Sequence, residues 1–129
     1  MDPIGNDASS FERHLFQRAE ANRIPIYGVL ELLPLCNLRC DMCYIRMNRN
    51  DMEKKGRLRS LNKWLSLAEE MKQAGTLFLL LTGGEPLLYP DFKKLYIHLQ
   101  KMGMIVTINT NGTLINKEWA DFFAAQKPR

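Results

Sequence analysis

The chain has 129 residues, 46% hydrophobic and 25% charged, with a formal net charge of +4 at pH 7. That length holds one domain with its own core, and the longest apolar run, Leu77 to Leu81, is far too short to cross a bilayer. The opening Met1-Asp2-Pro3-Ile4-Gly5-Asn6-Asp7 has neither the basic nor the apolar region of a secretion signal, so the three cysteines read as reduced thiols in a cytoplasmic protein.

In chain order, Ser9 or Ser10 is expected to cap a leading helix with Phe11, Leu15, Phe16 and Ala19 on one face, ending before Pro25. Ile26 to Leu33 reads as a first strand, closed by Pro34. Next comes Cys36-Asn37-Leu38-Arg39-Cys40-Asp41-Met42-Cys43, which holds every cysteine in the chain. Gaps of three and two residues in a polar loop do not follow a core period, and an odd count argues against disulfides. A closed zinc site needs a fourth Cys or His, and the only histidines are His14, far upstream, and His98, inside an expected helix. An iron–sulfur cubane fits better, because three protein thiolates leave one iron open to a small ligand.

Asn48 to Arg59 is expected to be a polar loop. Its basic group, Lys54, Lys55, Arg57 and Arg59 with Arg46 and Arg49 nearby, lacks aromatic interleaving, so a solvated loop is favoured over a nucleic-acid surface. The alternative use is docking of an acidic peptide or an electron-donating flavoprotein. Ser60 caps a helix whose stripe is Leu61, Trp64, Leu65, Ala68 and Met71, and Gly75 ends it. Thr76 to Thr82 is the nearly continuous apolar strand expected in a parallel sheet covered on both faces. It runs into Gly83-Gly84-Glu85-Pro86, where glycines let backbone come close to a ligand at a strand's carboxyl end. A helix from Asp91 to Gly103 buries Phe92, Leu95, Tyr96, Leu99 and Met102. Met104 to Asn109 forms a third strand, and Asn116 caps a last helix carrying Trp119, Phe122 and Phe123. Strand, turn and helix recur at roughly 27 residues, as parallel crossovers do. The fold class is α/β with about three parallel βα units.

With Cys-x3-Cys-x-Φ-Cys at Cys36, Cys40 and Cys43, then Gly83-Gly84-Glu85-Pro86, then Asn109-Thr110-Asn111-Gly112-Thr113, the chain resembles the radical S-adenosyl-L-methionine (SAM) superfamily. Tyr27-Gly28-Val29-Leu30-Glu31-Leu32 and Cys43-Tyr44-Ile45-Arg46 resemble the branch that carries a SPASM or twitch extension. The resemblance covers residues 24–129, a partial (β/α) barrel corresponding to the amino-terminal half of the family's, behind a helical lead-in at 1–23.

The resemblance implies that Cys36, Cys40 and Cys43 hold three irons of a [4Fe-4S] cluster, with SAM on the fourth. It implies that Met42 lies near the adenine, and that Gly83, Gly84, Glu85 and Pro86 form a ledge near the methionyl amino group, with Thr110 and Asn111 facing the same pocket. Met42 packed on the barrel wall, and Thr110 and Asn111 in an ordinary turn, are the structural alternatives. The implied reaction is reductive cleavage of SAM to a 5′-deoxyadenosyl radical for peptide or small-molecule modification, fed by a flavodoxin or ferredoxin. Two other readings stand beside it: a non-catalytic iron–sulfur fragment, and a half-enzyme completed by a partner chain or by self-association. Glu31, Tyr44 and Arg46 are candidates for the cofactor mouth or for plain loop packing, and no general acid or base is assigned.

Overall fold

The computed structural model of the protein describes residues 6–128, with side chains from Ser10 onward. Its elements run α1 (Asn6–Ala21), β1 (Tyr27–Glu31), α2 (Arg49–Lys55), α3 (Leu61–Gln73), β2 (Phe78–Thr82), α4 (Phe92–Lys101), β3 (Ile105–Ile108) and α5 (Lys117–Ala125), with a 3-10 turn at Pro86–Leu88. The three strands form one parallel sheet in the order β1-β2-β3, with Tyr27, Phe78 and Ile105 in one row and Leu30, Leu81 and Ile108 in another. This is the expected α/β class: half a barrel's worth of strands, each feeding a helix.

Side chains alternate across that sheet. Leu30, Leu79, Leu81 and Val106 point to one face and are 0–3% exposed, packed with Trp64 and Ala68 of α3 and Leu95, Tyr96 and Leu99 of α4. At about 25 cal/mol per Å2 of apolar surface, this two-layer contact is the main source of stability. The opposite face is only partly covered. Phe16 of α1 stacks on Phe78 at 5.5 Å, while Tyr27 and Val29 remain 48% and 46% exposed.

Helix ends follow the expected chemistry. Ser60 Oγ accepts from Lys63 N, and Asn116 Oδ1 accepts from Trp119 N. Gly75 and Gly103, beyond α3 and α4, take φ of 104° and 84°, the left-handed conformation that ends a helix cheaply only at glycine. α5 folds back over α4, where the ring of Trp119 meets Phe92 edge-on at 5.6 Å and that of Phe122 meets Tyr96 at 5.7 Å.

Four expectations need correction. Ser9 and Ser10 lie inside α1, which already runs from Asn6, so neither is its cap. Phe11 on the expected apolar face of α1 is 63% exposed; only Ala19 of that stripe is buried. The 48–59 stretch is not all loop. It holds α2, whose N-cap Asn48 accepts from Asp51 N and whose Met52 is anchored in the interior. The 3-10 turn after β2 was also not foreseen, and Glu85 and Pro86, a side-chain cap followed by a fixed φ, account for it.

Candidate functional site

The cysteine run leaves β1 at its carboxyl end, and the Gly-Gly and Thr-Asn-Gly turns leave β2 and β3 at the same edge. Parallel strands put all three turns on one rim, where α/β folds bind ligands. There they bond to one another. Gly84 N donates to Leu33 O at 2.7 Å and Glu85 N to Leu35 O at 2.8 Å, clamping the second turn onto the segment that leads into Cys36.

The glycines serve that clamp. A Cβ at Gly83 would lie 2.6 Å from Leu33 O, and one at Gly84 only 2.3 Å from Leu35 O, distances no side chain tolerates against backbone. The sequence suggests close approach to a ligand; the contact seen is to the chain itself.

Glu85 completes the connection. The residue is 0% exposed, and among the described residues no cation pairs with it. Instead Oε1 accepts from Leu87 N at 2.9 Å and Thr110 Oγ1 at 2.8 Å, and Oε2 accepts from Asn111 N at 2.9 Å. Satisfying a buried carboxyl group this way offsets the cost of desolvating it. Asn111 passes the link on, its Nδ2 donating to Asn37 Oδ1 at 3.0 Å and lying 3.7 Å from Cys36 Sγ. Asn37 Nδ2 donates in turn to Thr113 Oγ1 at 2.7 Å. Thr110 and Asn111 are therefore more than an ordinary turn: they tie β3 to both other motifs.

Cys36, Cys40 and Cys43 are free thiols, the first half-buried and the others exposed, with Cys43 N bonded to Cys40 O at 3.1 Å. Two donors address Cys36 Sγ: Leu38 N at 3.4 Å and Asn111 Nδ2. Donors of this kind stabilise a metal-bound thiolate and tune a cluster's potential. Among the described residues no three His, Cys, Asp or Glu side chains converge on a single metal ion. A cubane requires no such convergence, because each thiolate binds its own iron. The donor set fits a cluster better than a closed zinc ion.

Other sequence candidates fall as follows. Met42 is 92% exposed and does not pack into the core of the described residues. Pro86 is buried at the start of the 3-10 turn. Tyr44 is 88% exposed, and its hydroxyl donates to Glu31 Oε1 at 2.9 Å. That bond, then the negative charge of Glu31, raises the Tyr44 pKa above the ordinary tyrosine value. Glu31 thus sits at the strand end beside the cysteine loop, held by Tyr44. His98 is on the outer surface of α4 with Nδ1 2.9 Å from Lys94 O, outside the site. Asn37 and Thr113 were not foreseen as site residues, since nothing in one sequence marks a pairing across 76 positions.

A family model described as the Radical SAM superfamily matches residues 30–129, from the second half of β1 through all three turns. The chain belongs to the Radical SAM superfamily. Members of this family use a [4Fe-4S] cluster and SAM. The radical SAM chain is 32% identical over 116 residues to Fe-coproporphyrin III synthase of Methanosarcina barkeri, covering 90% of this chain and 28% of that protein. It is 29% identical over 128 residues to the antilisterial bacteriocin subtilosin biosynthesis protein AlbA of Bacillus subtilis, covering 98% and 27%. Among solved structures, Streptococcus suis SuiB bound to precursor peptide SuiA superimposes with a TM-score of 0.67 at 24% identity, covering 99% of this chain and 29% of that one, which shows the shared fold. The chain therefore spans little more than a quarter of the length of these relatives.

Proposed function

We propose that this chain holds a [4Fe-4S] cluster through Cys36, Cys40 and Cys43 and binds SAM beside it, on the rim built by Gly83, Gly84, Glu85, Pro86, Thr110 and Asn111. The observation that carries this is the hydrogen-bonded union of the three turns, which fixes Cys36 against the Gly-Gly turn and Asn111. Because the carboxyl group of Glu85 is fully engaged inside the protein, the second turn offers a ligand its backbone groups. Exposed Met42 is the loop's free apolar side chain, suited to an adenine face.

When bound, the cluster supplies one electron for cleavage of SAM. The residues of the chain itself do the rest: three thiols anchor, Leu38 N and Asn111 Nδ2 hold Cys36 Sγ, and Glu85 keeps the turns in register. Peptide or small-molecule modification is the reaction class these relatives support, since SuiB was solved with a precursor peptide and AlbA serves bacteriocin biosynthesis. An external electron donor such as a flavodoxin or ferredoxin, and a reducing cytoplasmic setting for three free thiols, belong to the same reading. A second reading is a half-barrel that a further chain or a second copy completes. It is supported by the exposed inner sheet face at Tyr27 and Val29 and by β3 standing at the sheet's edge.

Anaerobic loading with iron and sulfide, followed by metal analysis and equilibrium dialysis with labelled SAM, tests the proposal. It expects about four irons per chain and SAM retention that disappears in Cys36→Ala, Cys40→Ala and Cys43→Ala. Metal content unchanged in all three variants would contradict it.

A further inference from the structure

The whole net charge of the chain lies in one segment. Residues 39–59, from Arg39 through the last two cysteines and α2 to Arg59, carry seven basic side chains against only Asp41, Asp51 and Glu53, which is the entire excess of +4. Internal pairing consumes little of it. Lys54 meets Asp51 at 3.3 Å and Arg49 reaches Glu53 at 4.0 Å, both exposed. Among the described residues Lys55 and Arg57 pair with no carboxylate, and both are exposed. Arg46 Nε is buried with no hydrogen-bond partner, a donor that has lost water and gained nothing. A cavity of about 280 Å3 opens between this segment and the end of β1, its charged lining being Lys55, Arg57 and Arg59 against the single carboxylate of Glu31.

We propose that segment 39–59 is the docking surface for a small acidic electron-carrier protein, whose carboxylates meet Lys55 and Arg57 beside the exposed Cys40–Tyr44 loop. The inference rests on the cluster reading above and adds the landing place of the electron donor. One electron passes from the reduced carrier to the cluster, the carrier leaves oxidised by one electron, and no bond is made or broken. A carrier is favoured over an acidic peptide substrate because it needs only to come near Cys40 and Cys43, both at the surface, whereas a substrate must reach a closed reaction site. Such encounters are small and transient, and their speed comes from opposite charge.

The test uses a purified acidic flavodoxin as probe. Its association with the cluster-loaded chain is followed over a range of salt, and its electron transfer is compared with reduction by dithionite, which needs no docking. The proposal expects binding that weakens steadily with salt. It also expects about a tenfold or greater loss of association rate in the Lys55→Glu/Arg57→Glu variant, and a smaller loss in Lys55→Gln/Arg57→Gln. Carrier-driven reduction slows in step while dithionite reduction is unchanged. Lys101→Glu, an exposed control in the last turn of α4, leaves all of these as they were. Salt-independent binding, an equal effect of Lys101→Glu, or equally tight binding of an unstructured polyglutamate peptide would overturn the proposal. A chain that dithionite leaves spectrally silent contradicts the cluster reading instead, and the flavodoxin association then still decides the docking surface.

Discussion

Glu85 does the work of a brace. A buried carboxyl group with donors from Leu87, Thr110 and Asn111 joins two turns separated by 26 residues, and its replacement by an isosteric amide sets an NH2 against groups that already donate. Glu85→Gln is expected to cost about 1–3 kcal/mol, read as a lowered midpoint in thermal or urea unfolding, with weaker retention of iron in the loaded chain. A variant of wild-type stability would remove the brace from this account. The sequence makes the residue visible as part of a Gly-Gly-Glu-Pro motif, but the direction of its side chain depends on the pairing of β2 with β3, which no local pattern encodes. The same holds for Asn111, read as a turn residue and found 3.7 Å from the sulfur of Cys36.

At the level of elements, apolar periodicity located α1, α3, α4 and α5, although α1 buries only Ala19 of its stripe, and missed α2. α3, α4 and α5 were legible because Trp64, Ala68, Leu95, Leu99 and Trp119 stand in apolar stripes at helical spacing, with Ser60 and Asn116 capping the first and last of the three. α2 hides its period because only Met52 is buried over its length, and its signals are polar: the Asn48 cap and the Arg49–Glu53 pair. A helix this short rests on its cap. Asn48→Ala should destabilise it by about 1 kcal/mol, seen as faster amide exchange across 49–55 while β2 exchanges as before. Equal protection in the variant would mean that Met52 alone holds the segment.

For the molecule as a whole, the parallel sheet explains why motifs far apart in sequence meet: successive strands must end on the same edge once helices connect them. Its helix-covered side also sets an alkaline limit. Tyr89 and Tyr96 have pKa values raised above the ordinary tyrosine value, chiefly by burial, and their hydroxyls bond Arg59 O and Gln126 O at 3.0 Å. The fold favours the neutral phenols, so their contribution is complete below about pH 10 and is lost as pH rises through the folded values. Stability measured against pH should hold through neutrality and fall above that point, more gently in Tyr89→Phe. An unchanged alkaline fall in both Tyr89→Phe and Tyr96→Phe would assign the loss to other groups.

The most direct measurement is the electron paramagnetic resonance spectrum of the loaded, reduced chain with and without SAM. One hydrogen-bonded rim that presents three thiols and leaves one iron open predicts a cluster signal that SAM shifts. A cluster signal that SAM leaves unchanged would contradict the open-iron site at the centre of this account.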